Sequence, residues 1–159
     1  MIYLPPELLV LFTSMLPIVE LRGGIPLGLL LHLPIEAAFF WAEIGNMIPI
    51  FFILKLLGPV SDFLIKHSKF FEKFFHKLFT ITREKHGHKM QKWGSVFLVI
   101  FIAIPLPGTG AWTGALLAFL FDIPFWKAVL LILIGNLAAG LLISFGFGSA
   151  IEVAKLFVK

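Results

Sequence analysis

The sequence predicts an all-α integral membrane protein. Its expected plan is an inverted repeat of a re-entrant helical hairpin plus a transmembrane helix, with an amphipathic interfacial linker between the halves. Three observations predict this. Hydrophobic residues make up 59% of the 159-residue chain, and the mean hydropathy is +1.00, more apolar surface than a soluble domain of this size can hide. Clusters of proline and glycine interrupt apolar runs at residues 17–26 and again at residues 104–114. The second half also repeats the outline of the first, ninety positions on. A single membrane domain follows, divided into repeat 1 (residues 5–58), a basic linker (59–93), repeat 2 (94–146) and a short tail (147–159).

The elements follow in order. Met1-Ile2-Tyr3-Leu4 lacks the basic start of a signal peptide, so the first apolar segment is expected to be kept. That segment, residues 7–18, gives roughly 18 Å of helix, well short of a ~30 Å hydrocarbon core. Pro17-Ile18-Val19-Glu20-Leu21-Arg22-Gly23-Gly24-Ile25-Pro26 then forms the first break, and residues 25–33 are a second short apolar piece. Glu36 to Leu57 gives roughly 33 Å, enough to span, with a kink expected at Pro49 and an end at Gly58-Pro59.

Residues 60–93 change character. Lys66, Lys69, Lys73, Lys77, Arg83, Lys85, Lys89 and Lys92 face only Asp62, Glu72 and Glu84. Phe70, Phe71, Phe74, Phe75, Leu78 and Phe79 recur at helical spacing on one side, with Lys69, Glu72, Lys73, His76 and Lys77 on the other. Such a segment lies in the membrane interface with its phenylalanines down, attracted to anionic lipids. Its basic excess places residues 60–93 in the cytosol and accounts for the net charge of +4 without a nucleic-acid partner.

Residues 94–104 are again short and apolar. The second break, Ile104-Pro105-Leu106-Pro107-Gly108-Thr109-Gly110-Ala111-Trp112-Thr113-Gly114, leads into a short piece ending near Phe121, and Pro124 opens a final span to about Phe145. At an offset of ninety, Pro17 meets Pro107, Gly24 meets Gly114, Pro34 meets Pro124, and Ile44-Gly45-Asn46 meets Ile134-Gly135-Asn136. If each short pair turns back on itself, each half crosses once and the halves are inverted, a common transporter plan. The competing layout makes residues 7–33 and 94–121 single kinked spans, four in all, since membrane helices tolerate glycine and proline.

Candidate functional residues concentrate in the breaks. Glu20 and Arg22 are ionisable groups within a membrane segment, where such groups face a partner or a wet cavity. In an extended tip they can pair with each other or flank a ligand. The arginine fork suits a phosphate or carboxylate, and Glu20 is a candidate proton carrier. Gly23, Gly24 and Pro26 shape that tip. Glu43, next to Asn46, is a second intramembrane carboxylate and a proton or ion candidate, or else an acceptor for the other half. Asn46 and Asn136 are expected to satisfy backbone groups freed in the opposite break. In the second break, Pro105, Pro107, Gly108, Thr109, Gly110 and Trp112 are candidates, with a half-helix starting near Gly110 that aims its positive end at an anion. Gly24-x-x-x-Gly28, Gly110-x-x-x-Gly114 and Gly140-x-x-x-Ser144 also suit close helix packing.

Other chemistries find no support. The glycine spacing fits no nucleotide-binding fingerprint and follows no strand. The chain has no cysteine, hence no thiolate site. His86-Gly87-His88 with His76 reads as a solvated loop rather than a metal site, and no serine has a base and acid beside it. No cofactor and no enzymatic activity are expected.

The two break motifs, with the Gly45-Asn46 pair, resemble the small multi-drug export proteins of bacteria and archaea over nearly the whole chain. The layout is also similar to the wider DedA/VTT (SNARE-associated) superfamily, without the arginines of that group's second hairpin. The resemblance implies two inward-pointing hairpins in the plasma membrane of a bacterium or archaeon, and movement of lipids or lipid-linked phosphates. The expectation is therefore a small transporter, homodimeric because so few helices make a thin wall. Its substrate is a lipid-linked or amphiphilic, anionic molecule, moved with possible proton coupling. The alternatives are a multidrug exporter of cationic molecules and a scaffold that binds anionic lipid or a partner through the basic linker.

Overall fold

The computed structural model describes residues 4–69, 73, 93–106 and 108–157. Six helices and no strand occur among them: α1 (Pro6–Ser14), α2 (Glu20–Leu30), α3 (Ile35–His67), α4 (Trp93–Ala103), α5 (Ala111–Leu120) and α6 (Phe125–Phe157). Two are long and apolar enough to cross a membrane, over Ile35–His67 and Phe125–Ser149. The chain is a membrane protein. The interfacial helix expected around Phe70–Phe79, and the histidines near it, lie outside the described residues.

The short–short–long order holds in each half, with three corrections. First, α2 starts at Glu20, so Glu20, Arg22, Gly23 and Gly24 sit on helix rather than in an extended tip, and Pro26 lies inside that helix. The helix continues through Pro26, its seventh residue, and gives up one intrahelical bond, the one to the Arg22 carbonyl. Second, Gly58-Pro59 does not end the long helix, which continues to His67. Pro59 removes only the donor to the carbonyl one turn back, and the helix runs on past it, with the Ser61 hydroxyl donating to the Gly58 carbonyl at 2.8 Å. Third, the tail is continuous with α6, which runs to Phe157.

Small residues let the helices approach. A Cβ at Gly45 would run into the backbone of Leu11, seating α1 on α3. A Cβ at Gly135 would meet Ile102 and the Val99 carbonyl, seating α4 on α6. Gly24 faces Ser14 and Ala42, while Gly114 faces Ile102. The long helices pack together, and each also holds the other half's short helix, α3 against α5 and α6 against α2. The core forms along these seams from Met47, Ile50, Leu98, Ile102, Ala115 and Ile132 on one side, and from Val10, Leu21, Ile25 and Ile143 on the other.

Burial and turn geometry recur at the offset of ninety. Leu21, Gly24, Ile25 and Gly28 are buried on α2, and Ala111, Gly114, Ala115 and Ala118 on α5. Ala38, Ala42, Gly45 and Asn46 on α3 correspond to Ala128, Ile132, Gly135 and Asn136 on α6, all buried. Both short helices end in the same left-handed turn. His32 (φ 63°) and Asp122 (φ 54°) follow the last turn, with the amide of Leu33 bonded to the Gly28 carbonyl and that of Ile123 to the Ala118 carbonyl, each at 2.9 Å. This is the Schellman arrangement, and Pro34 or Pro124 then starts the long helix in a new direction.

Candidate functional site

The second break is a chain reversal held by its own polar groups. The amide of Thr109 donates to the Leu106 carbonyl at 3.1 Å, and Gly108 takes φ 85°, a conformation that L-residues rarely adopt. The Thr109 hydroxyl has Ile104 and Leu106 carbonyls at 2.6 and 2.8 Å and accepts from the Leu106 amide at 3.2 Å. Gly110, at φ 141°, then caps α5 without a side chain. Pro105 precedes this reversal and is exposed. Pro107 lies outside the described residues.

Two side chains of α2 complete the reversal from the other half. Arg22 donates from Nη1 to the Leu106 carbonyl and from Nη2 to the Thr109 carbonyl, and Nη2 also reaches the Thr109 hydroxyl at 2.9 Å. Glu20 is buried, 6% exposed, and its Oε1 accepts from the Trp112 amide at 3.2 Å. The carboxylate therefore sits on the positive end of α5, supplying the cap that Gly110 cannot. A Cβ on Gly110 would collide with that carboxylate. Glu20 holds this position with a left-handed backbone, φ 47°, an unfavourable state of about 1–2 kcal/mol for a residue with a Cβ. The structure thus joins Glu20, Arg22, Thr109, Gly110 and Trp112 in one cluster.

The remaining candidates lie elsewhere. Gly23 and Gly24 are packing positions: Cβ atoms there would overlap Val19 in one case, Ser14 and Ala42 in the other. Pro26 is interior to α2. Asn136 donates to Met47 Sδ at 3.5 Å across the α3–α6 seam rather than to a freed backbone group. Asn46 and Glu43 are buried without any hydrogen-bond partner, so they too leave the opposite break untouched. The Trp112 indole nitrogen is likewise buried and unpartnered.

Two features escaped sequence reasoning. The Leu106 and Thr109 carbonyls are the acceptors that Arg22 uses, and a main-chain acceptor leaves no trace in residue identity. Ser14 is fully buried at the end of α1; a hydroxyl closing an apolar run was the available signal.

The cluster has a definite chemical character. Both terminal nitrogens of the Arg22 fork are turned to carbonyls, and the Trp112 amide at the start of α5 is taken by Glu20. What remains is a buried carboxylate beside an aromatic residue. A protein-family model described as Putative small multi-drug export protein matches residues 20–142. No curated protein and no solved structure matches the chain.

Proposed function

From the premise that this chain belongs to the small multi-drug export protein family, we propose that it exports small amphiphilic cations by exchange against an inorganic cation. The observation that carries this reading is the Glu20 carboxylate seated on the Trp112 amide. A cationic substrate entering between the halves competes with that amide for the carboxylate. Loss of the Glu20 cap loosens α5 from α2, while Arg22 keeps the α4–α5 reversal attached. Binding of substrate is thereby converted into relative motion of the two halves. The movement is non-covalent and needs no enzyme chemistry.

The preference between substrates follows from the same geometry. An anionic or lipid-linked head group needs an unoccupied cation or helix N-terminus, and both candidates are engaged within the protein. A cation needs a carboxylate that can change partners, which Glu20 supplies.

The arrangement in the membrane belongs to the same proposal. We place the chain in the plasma membrane as a multi-pass protein, with α1–α2 and α4–α5 as re-entrant hairpins and α3 and α6 as opposite crossings. The recurrence of buried positions and Schellman turns ninety residues apart supports a structural repeat, and one crossing per half makes it an inverted one. Linker residues 60–93 then face the cytosol and its anionic lipids, and a homodimer thickens the wall around the pathway.

Proteoliposomes holding the purified protein test the substrate. A fluorescent cationic dye should cross with the wild type, and Glu20→Gln should lower the rate at least tenfold while the protein stays monodisperse and helical in detergent. Movement of a labelled phospholipid or polyprenyl phosphate without dye movement would replace this reading with lipid translocation.

A further inference from the structure

The α3–α6 seam carries a groove at the end where α6 begins. It measures about 650 Å³ and is lined by Phe51, Phe52, Leu54 and Lys55 of α3 and by Phe125 and Trp126 of α6. The rings stand edge to face. Phe51 lies 6.1 Å from Phe125 and 6.4 Å from Trp126 between centroids, and those two are 5.1 Å apart. Leu54 and Phe125 pack against the core that holds Ile50 and Ile132, so the floor is fixed. Phe52 and Trp126 stay open at the rim, 62% and 74% exposed. The walls thus come from both halves of the chain, and the one charged side chain among the lining residues is the exposed Lys55.

The depth of the groove follows from the helices. A Cβ on Gly140 would meet Phe39 and one on Gly148 would meet Ile35, whereas Phe51 lies against Phe125. The two long helices therefore run antiparallel. Lys55 comes twenty residues after Ile35, roughly 30 Å along a helix, which is the thickness of a hydrocarbon core. With Ile35 at one boundary, Lys55 lies at the other, level with the first turn of α6. The Glu20 cluster is at the opposite end of α5, roughly 15 Å of helix away.

A concave aromatic surface at the membrane boundary, with one ammonium on its lining, selects its occupant. The rings suit an acyl chain, and the ammonium suits a phosphate as a point charge. An amphiphilic cation would fit the rings but is repelled by Lys55, so this is not a second seat for the exported molecule. A small soluble anion would leave the rings uncovered. A second copy docked here by two-fold symmetry would enclose two Lys55 ammonium groups in one apolar interface. Snorkelling to the interface accounts for a lysine at this depth but not for the groove beside it. A zwitterionic head group brings an ammonium of its own, which leaves the net negative ones favoured.

We infer that this groove binds one anionic phospholipid of the surrounding leaflet, with its phosphate at Lys55 and an acyl chain along Phe51, Phe52 and Phe125. Because the walls belong to both halves, the lipid ties α3 to α6 at that end. On the membrane arrangement proposed above it comes from the cytosolic leaflet, the anionic one. Binding itself rests on the groove and stands whether or not the chain exports cations.

Melting of the purified full-length protein in nonionic detergent measures binding without transport. The probes are phosphatidylglycerol and phosphatidylcholine with the same acyl chains. Phosphatidylglycerol should raise the Tm by about 3 °C or more and saturate, and phosphatidylcholine should raise it much less. Lys55→Gln should melt like wild type without lipid and should reduce the phosphatidylglycerol response to the phosphatidylcholine one. Trp126→Ala trims the rim and keeps the charge, and should raise the half-maximal lipid concentration about fivefold. Lys127→Gln, in the first turn of α6 but outside the lining, should keep the wild-type preference. Equal responses to the two lipids overturn the site. So does a phosphatidylglycerol preference that survives Lys55→Gln, which would put the lipid on the basic linker instead. A dimer that Trp126→Ala dissolves overturns it in favour of a second copy. The expected lipid response in a protein that moves no dye keeps the site and removes the exporter.

Discussion

Arg22 donates from both terminal nitrogens to the reversal around Leu106 and Thr109, and its shape matters there as much as its charge. A charged side chain within a membrane segment costs about 2.5–3.5 kcal/mol on insertion scales. Hydrogen bonds from a charged group contribute about 1.5–3 kcal/mol each, so a fork with three acceptors offsets that cost. Lysine has the charge without the fork and cannot span both carbonyls. Arg22→Lys should therefore lose most dye transport, with a rate near that of Arg22→Ala. Wild-type transport in Arg22→Lys would show that charge alone suffices. Gly110 is constrained twice, by its φ of 141° and by the Glu20 carboxylate that fills the space of a Cβ. Gly110→Ala should destabilise by roughly 2–5 kcal/mol, visible as a lower Tm in detergent, unless Glu20 leaves α5. In the double variant Glu20→Ala with Gly110→Ala, the collision disappears and only the backbone strain remains. Part of the loss should then be recovered.

At the scale of elements, glycines that look alike in sequence do opposite things. Gly45 lies against the Leu11 backbone, whereas a Cβ at Gly146 meets nothing within 4 Å. Gly45→Ala should cost roughly 1–3 kcal/mol by prising α1 off α3. Gly146→Ala should instead stabilise α6 by roughly 0.5–1 kcal/mol. Thermal melting of the two variants beside wild type separates them by sign, and equal shifts would contradict the packing. The same contrast explains what could be read from the sequence. The short–short–long order was legible because breakers cluster at 17–26 and 104–114, and the equivalence of Asn46 with Asn136 was legible from the repeated Ile-Gly-Asn. The run of α3 through Gly58-Pro59 was not, because whether proline ends a helix depends on who takes the freed carbonyls and whether the ring meets a neighbour. The helical placement of Glu20 and Arg22 was missed for a related reason. Gly23, Gly24 and Pro26 look like breakers, but close to a helix start and packed against α1 and α3 they are compatible with helix. In the candidate site, the charged residues and the glycines were legible; the carbonyl acceptors and the Ser14 hydroxyl were not.

For the whole molecule, the decisive property is the number of times each half crosses the membrane, since inversion sets the two breaks against each other. Packing of α1 on α2 and of both on α3 is compatible with a re-entrant pair, and so is a Schellman turn that redirects the chain at His32 and at Asp122. The two layouts differ in which side of the membrane each segment's end reaches. With re-entrant pairs, each half crosses once, so Ser68, just past α3, and Ser149, on α6, lie on opposite sides. With four kinked spans they lie on the same side. The chain carries no cysteine, so single replacements at these positions report without background. In intact cells, a thiol reagent that cannot cross membranes should label Ser149→Cys and leave Ser68→Cys unlabelled until the membrane is opened. The basic linker fixes the direction of that difference, because a cytosolic residue 68 puts residue 149 outside. Protection of both sites until the membrane is opened would put both in the cytosol. The halves would then cross as four spans in parallel orientation, and the Glu20–Trp112 contact would no longer join two elements entering from opposite faces.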